Sequence, residues 1–142
     1  MQEYLDFAAN HPLLTMVWLG LASAVVYMTI MSKLTKVKVV AAQQAVLLIN
    51  KQDAAVVDIR SAEEFRKGHI AGAINLPNTQ LKANNLNLIE KYQEKPLVLV
   101  CETGMSTSGA GRMLSKAGFK QVYALRGGMA DWRSQNLPVT KR

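Results

Sequence analysis

The chain has 142 residues, enough for one domain, and its 49% hydrophobic content makes it more apolar than an ordinary soluble domain of this size. Its formal net charge is +7, but past the first 38 residues Lys and Arg are scattered without a stripe, an aromatic platform or a recognised motif, which excludes nucleic acid as a partner. A single cysteine, Cys101, rules out an internal disulfide and suits a reducing compartment. With only His11 and His69 as isolated companions, no metal-ligand spacing exists and no metal or cofactor is expected.

The apolar excess lies at the N-terminus. From Phe7 to Ser32 there is no Asp, Glu, Lys or Arg, and Leu13 to Met31 is almost wholly apolar. At about 1.5 Å per residue, such a helix spans the hydrocarbon of a bilayer once. A cleaved leader would carry a basic segment ahead of the apolar run, whereas this one carries Glu3 and Asp6. A buried core helix would need a polar face. The lysines Lys33, Lys36 and Lys38 crowd the far end, so the positive-inside rule puts the N-terminus outside and the remainder in the cytoplasm, with the lysines against anionic lipid headgroups. The expected organisation is a short extramembrane segment over residues 1–12, a span over 13–31, a basic linker over 32–38 and a globular domain over 39–142.

In that domain, strands and helices alternate. The spacing predicts a helix over 42–50, a buried strand over 55–58, and a short helix opened by the capping box Ser61-Ala62-Glu63-Glu64. A strand over 74–76 and a helix over 86–92 follow, and Pro96 turns the chain into the strand 97–100. A further helix with Ala110, Met113, Leu114 and Ala117 on its inner face, a strand over 122–124 and a terminal helix over 129–134 complete the pattern. The fold class is therefore α/β: a small parallel sheet flanked by helices and preceded by one transmembrane helix.

Cys101 ends the apolar run Leu97-Val98-Leu99-Val100 and is followed by Glu102-Thr103-Gly104-Met105-Ser106-Thr107. A thiol at the end of a strand, where the chain turns through a Gly and enters a helix, faces backbone N–H groups and the positive end of the helix dipole, which favours the thiolate. The loop from Glu102 to Thr107 is the expected binding cradle, with hydroxyls from Ser106 and Thr107. Asp58 and Arg60, just past a buried strand, are expected to pair or to brace loops beside it. His69 is expected to be structural, Gly127-Gly128 to turn into a helix whose Trp132 packs on the core, and Lys67 and Arg126 to attract an anionic donor.

In order and spacing, Val56-Val57-Asp58-Ile59-Arg60, Glu64-Phe65, Gly68-His69-Ile70-Ala71-Gly72-Ala73-Ile74-Asn75-Leu76-Pro77, the Cys101 loop and Leu125-Arg126-Gly127-Gly128-Met129-Ala130-Asp131-Trp132 resemble the rhodanese-like family. The architecture is similar to single-pass, membrane-anchored rhodanese-like proteins of bacteria. The resemblance implies that Cys101 takes sulfane sulfur from thiosulfate or a persulfide and passes it to a thiol acceptor, in a protein of the inner membrane. Cysteine phosphatases that share the fold place a phosphate-binding Arg where this chain has Thr107, so phosphatase chemistry is not expected. Glu102 departs from the basic loops of thiosulfate users. A carboxylate beside the thiol is expected to oppose its ionisation and to repel a dianion, which would make thiosulfate a poor donor beside another persulfide or protein; the alternative is that Glu102 points into solvent and matters little. The alternative from another class is a membrane-tethered interaction module for other membrane proteins, in which Cys101 is a remnant.

Overall fold

The structure is a computed structural model that describes residues 1–34 and 37–141, with the backbone alone for residues 32–34. Two compact units emerge, Met1–Lys36 and Val37–Arg142.

The first unit holds two helices, α1 (Gln2–Asn10) and α2 (Pro12–Leu34). Pro12 opens α2, where its missing N–H costs nothing. Hydroxyls of Thr15 and Thr29 donate to the carbonyls of His11 and Val25, so these polar groups are satisfied along their own helix. The stretch Pro12–Met31 has a mean hydropathy of 1.9 and is 0% buried within the structure, which makes α2 long and apolar enough to cross a membrane.

The second unit is a five-stranded parallel sheet in the order β1-β5-β4-β2-β3. The strands are β1 (Lys38–Val40), β2 (Ala55–Asp58), β3 (Ile74–Asn75), β4 (Pro96–Val100) and β5 (Gln121–Leu125). Between them run α3 (Ala42–Gln52), α4 (Ala62–Lys67), α5 (Asn78–Lys82), a 3-10 turn (Glu90–Tyr92) and α6 (Thr107–Lys116), and α7 (Gly128–Ser134) closes the chain. β4 is central and buried at every residue. Its side chains alternate between two cores: Val98 and Val100 join α3 and α7 residues such as Ala45, Leu48, Met129 and Trp132, while Leu97, Leu99 and Cys101 join Leu81, Ile89, Ala110 and Leu114 on the other face. That two-sided burial is why β4 reads as an unbroken apolar run.

Several elements depart from expectation. Residues 86–92 form turns and a 3-10 segment rather than a helix, because Asn84 takes a left-handed φ of 57° and only Ile89 is fully buried while Leu88 is exposed. α5 fills the core beside it with Leu81. Pro96 is the first residue of β4 rather than part of the preceding turn. Lys38, expected in the linker, begins β1 and pairs with Tyr123, whereas Lys36 lies outside the described residues. On α6, Ala110 and Leu114 are buried as expected, but Met113 and Ala117 are exposed and Gly111 is buried instead, against Val37.

Candidate active site

After β2 the chain moves outward to β3, and after β4 it moves outward to β5 on the other side. The carboxyl ends of β2 and β4 therefore part, leaving a crevice where open α/β sheets bind ligands. Asp58 ends β2 and Arg60 lies just past it, and Cys101 follows β4. An open depression of about 260 Å³ lies there, lined by Ile59, Arg60, Ser61, Glu64, Asn78, Cys101, Glu102, Thr103 and Ser106.

Cys101 is 5% exposed. Gly104 N–H donates to its Sγ at 2.8 Å, and Gly104 sits at φ +84°, which turns that amide back toward the sulfur. Thr107, buried at the start of α6, donates its hydroxyl to the Gly104 carbonyl at 2.9 Å and braces the turn from below. Ser106 occupies the cap position of α6 without a side-chain cap bond. Thr103 and Ser106 are exposed toward the depression, while Met105 projects into solvent at 86% exposure and does not line it.

The loop is also held from a direction that the sequence reading did not anticipate. Amides at the start of α7 bond to it: Met129 N–H to the Cys101 carbonyl at 2.8 Å and Ala130 N–H to that of Glu102 at 3.0 Å. A Cβ on Gly128 would lie 2.2 Å from the Cys101 carbonyl oxygen, so this approach requires glycine.

The electrostatics differ from expectation most clearly at Glu102. Its carboxylate does not stand beside the thiol as a bare charge, because it bridges two guanidinium groups: Arg133 donates Nη1 to Oε1 at 2.8 Å and Nη2 to Oε2 at 3.2 Å, and Arg60 donates Nη1 to Oε2 at 3.0 Å. The Arg133 hydrogen bond is the main cause that holds the Glu102 carboxyl below the usual carboxylate range, against the opposing effect of partial burial. Arg60 in turn is gripped by Asp58, with Nε to Oδ1 at 3.0 Å and Nη2 to Oδ2 at 2.7 Å, and Nη2 also donates to the Gly68 carbonyl at 2.7 Å. Burial works against the charge on Arg60, but the bonds to Asp58 and Glu102 outweigh it and raise its pKa above the ordinary value. Asp58 and Arg60 thus pair as expected, and Arg133 was missed. It lies 31 residues beyond Glu102, on a helix whose sequence gives no cue to the crevice.

The remaining candidates take structural places. His69 Nδ1–H donates to the Phe65 carbonyl at 2.7 Å, and its ring stacks on that of Phe65 with centroids 3.7 Å apart. Trp132 is buried, with its indole N–H donating to Pro138 O at 3.1 Å. Lys67 pairs with Glu63 at 3.2 Å, and neither Lys67 nor Arg126 lines the depression. No cluster of His, Cys, Asp or Glu among the described residues forms a metal centre.

A parallel α/β unit with one cysteine in a glycine-turned loop, set over a helix N-terminus at the switch of strand order, defines a rhodanese-type cysteine-loop domain. The rhodanese-like domain family matches residues 41–135, and the chain belongs to that family. It is 45% identical over 141 residues to the Escherichia coli (strain K12) protein YibN, covering 99% of both chains. It is 38% identical over 93 residues to the thiosulfate sulfurtransferase GlpE of Shewanella oneidensis, covering 66% of this chain and 89% of that one. Among solved structures, a rhodanese-related protein from Thermoplasma volcanium superposes with a TM-score of 0.63 at 28% identity, over 74% of this chain and 99% of the other.

Proposed function

We propose that the chain is a membrane-anchored sulfurtransferase that carries sulfane sulfur on Cys101. The observation that carries the reading is the Gly104 N–H aimed at Cys101 Sγ at 2.8 Å, at the mouth of the crevice and ahead of α6. An amide donor at that point stabilises the sulfur as an anion both before and after loading. The Cys101 thiolate attacks the outer sulfur of the donor, the donor's S–S bond breaks, and the leaving group departs with the electron pair. An acceptor thiolate then attacks the terminal sulfur of the Cys101 persulfide, and Cys101 leaves as thiolate. Glu102, Thr103, Gly104, Ser106 and Thr107 shape the binding loop, and Asp58 holds Arg60 at its edge. Likeness to the sulfurtransferase of Shewanella oneidensis supports the same chemistry.

The length and hydropathy of α2 support a single bilayer span. The lysines that follow it support a cytoplasmic rhodanese-like domain with the N-terminus outside, in a bacterial inner membrane. The test is intact-mass spectrometry of the full chain in detergent after incubation with thiosulfate and, separately, with a low-molecular-weight persulfide. One added sulfur on the wild type and none on Cys101→Ser is expected. No addition from either donor overturns the reading in favour of a non-catalytic interaction module.

A further inference from the structure

The crevice contains an arrangement of charge that bears on which donor it accepts, given the sulfurtransferase reading above. Arg60 is the one cation lining the depression among the described residues, and its guanidinium is spent on its neighbours: Nε and Nη2 on Asp58, Nη2 also on Gly68 O, and Nη1 on Glu102. Arg133, which reaches the rim through Glu102, gives both of its terminal nitrogens to that carboxylate. Glu64 also lines the depression, with its carboxylate accepting from the Ser61 amide at 3.3 Å and the Ser61 hydroxyl at 3.0 Å. What remains for a ligand is neutral: the hydroxyls of Thr103 and Ser106 and the side-chain amide of Asn78.

We infer that Glu102 determines donor specificity in this protein by occupying Arg60 and Arg133, so that the site takes a persulfide borne on a cysteine thiol and discriminates against the thiosulfate dianion. A small dianion leaving water needs charge-assisted hydrogen bonds, and a bidentate guanidinium is the strongest such partner a side chain offers. Here both guanidiniums are already bidentate or bridged to carboxylates. A hydropersulfide R–S–SH carries at most one charge at its reacting end and is served by the neutral donors. The Cys101 thiolate attacks its outer sulfur, the S–S bond of the donor breaks, R–S⁻ leaves with the electron pair, and the proton stays on the sulfur transferred to Cys101. The role of Glu102 is thus the reverse of simple repulsion of the thiol: its charge is neutralised, and the cost falls on the cations it removes from the mouth.

The test uses the full chain in uncharged detergent. Replacing Glu102 by Gln keeps the side-chain shape but releases Arg133, whereas Arg60 stays held by Asp58 and Gly68 O. The ratio of kcat/KM for thiosulfate to that for cysteine persulfide is expected to rise about tenfold, chiefly through the KM for thiosulfate, as gain of one charged hydrogen bond implies. The gain should shrink as ionic strength is raised. It should be lost when Arg133→Gln is added, since the released guanidinium is its source. An unchanged ratio, or a gain that survives the double substitution, overturns the inference, because loosening the loop alone moves both donors together. A measurement independent of turnover separates this result from failure of the sulfurtransferase reading. Calorimetric binding of thiosulfate to Cys101→Ser should be tightened by adding Glu102→Gln, and equal affinities overturn the role of Glu102 whether or not sulfur is ever loaded.

Discussion

Gly128 is where the geometry of the Cys101 loop is most exposed to a single change. It takes φ +59°, a region costly for any side chain, and a methyl group there would press on the carbonyl oxygens of Cys101 and Glu102, which are backbone and cannot swing away. Gly128→Ala should therefore lower the melting temperature by on the order of 10 °C, since strain and overpacking together cost about 2 kcal/mol or more. It should also slow sulfur loading even at temperatures where the protein is folded, and a melting curve with a single-turnover loading assay reads both. At Glu102 the matter is pH. Its carboxyl titrates lower in the folded chain than in the unfolded one, so the bridge to Arg133 and Arg60 stabilises the fold above the unfolded value of about 4.3 and is lost as pH falls through the lower folded value. Urea midpoints of wild type and Glu102→Gln should differ by a constant amount well above the unfolded carboxylate value of about 4.3 and converge as pH falls from there through the lower folded value. A difference that persists undiminished into acid would show that the bridge is not what Glu102 contributes.

At the scale of elements, the Asp58–Arg60 pair joins β2 to the loop at the end of β4 and to the C-terminus of α4. Both side chains are almost fully buried, at 1% and 4%, so truncating one strands the other. Arg60→Met should cost about 3 kcal/mol or more, whereas the double substitution Asp58→Leu with Arg60→Met should recover a substantial part of that loss, as measured by chemical denaturation. The cap of α4 is a smaller contribution: Ser61 accepts from the Glu64 amide and Glu64 reaches back to the Ser61 amide, and Ser61→Ala should cost about 1 kcal/mol. This reciprocal capping box was readable from Ser61 and Glu64 alone because its chemistry is local. So were β2 and most of β4, whose burial on both faces leaves an apolar run. β1 was not readable, since a three-residue edge strand beside a lysine cluster carries no period to detect. Nor was α5, a five-residue helix that follows Pro77 and buries only Leu81. The loop around Cys101 was legible from its own residues. The α7 amides and Arg133 that hold it were not, because they meet it only after β5 has crossed back to the sheet.

At the scale of the molecule, the proposed function raises the question of which side of a bilayer Cys101 would occupy, since a thiol that carried sulfane sulfur would be served by a reducing compartment. The helix Pro12–Leu34 has no Asp, Glu, Lys or Arg before Lys33, while Glu3 and Asp6 precede it and Lys33, Lys36 and Lys38 mark its far end. Lysines near the cytoplasmic surface of an anionic leaflet contribute about 1 kcal/mol each, and this is the physical basis for proposing that the rhodanese-like domain lies on the cytoplasmic side. A fluorescent protein fused after residue 142 should be bright, and alkaline phosphatase fused there should be inactive, with the chain remaining in the membrane fraction through an alkaline wash. Replacing Lys33 and Lys36 by Gln, which leaves the β1 residue Lys38 and the sheet untouched, should give a mixed population with measurable phosphatase activity. Phosphatase activity in the unmodified fusion would place Cys101 in the oxidising compartment and overturn the orientation, and release of the chain by the wash would overturn the span itself.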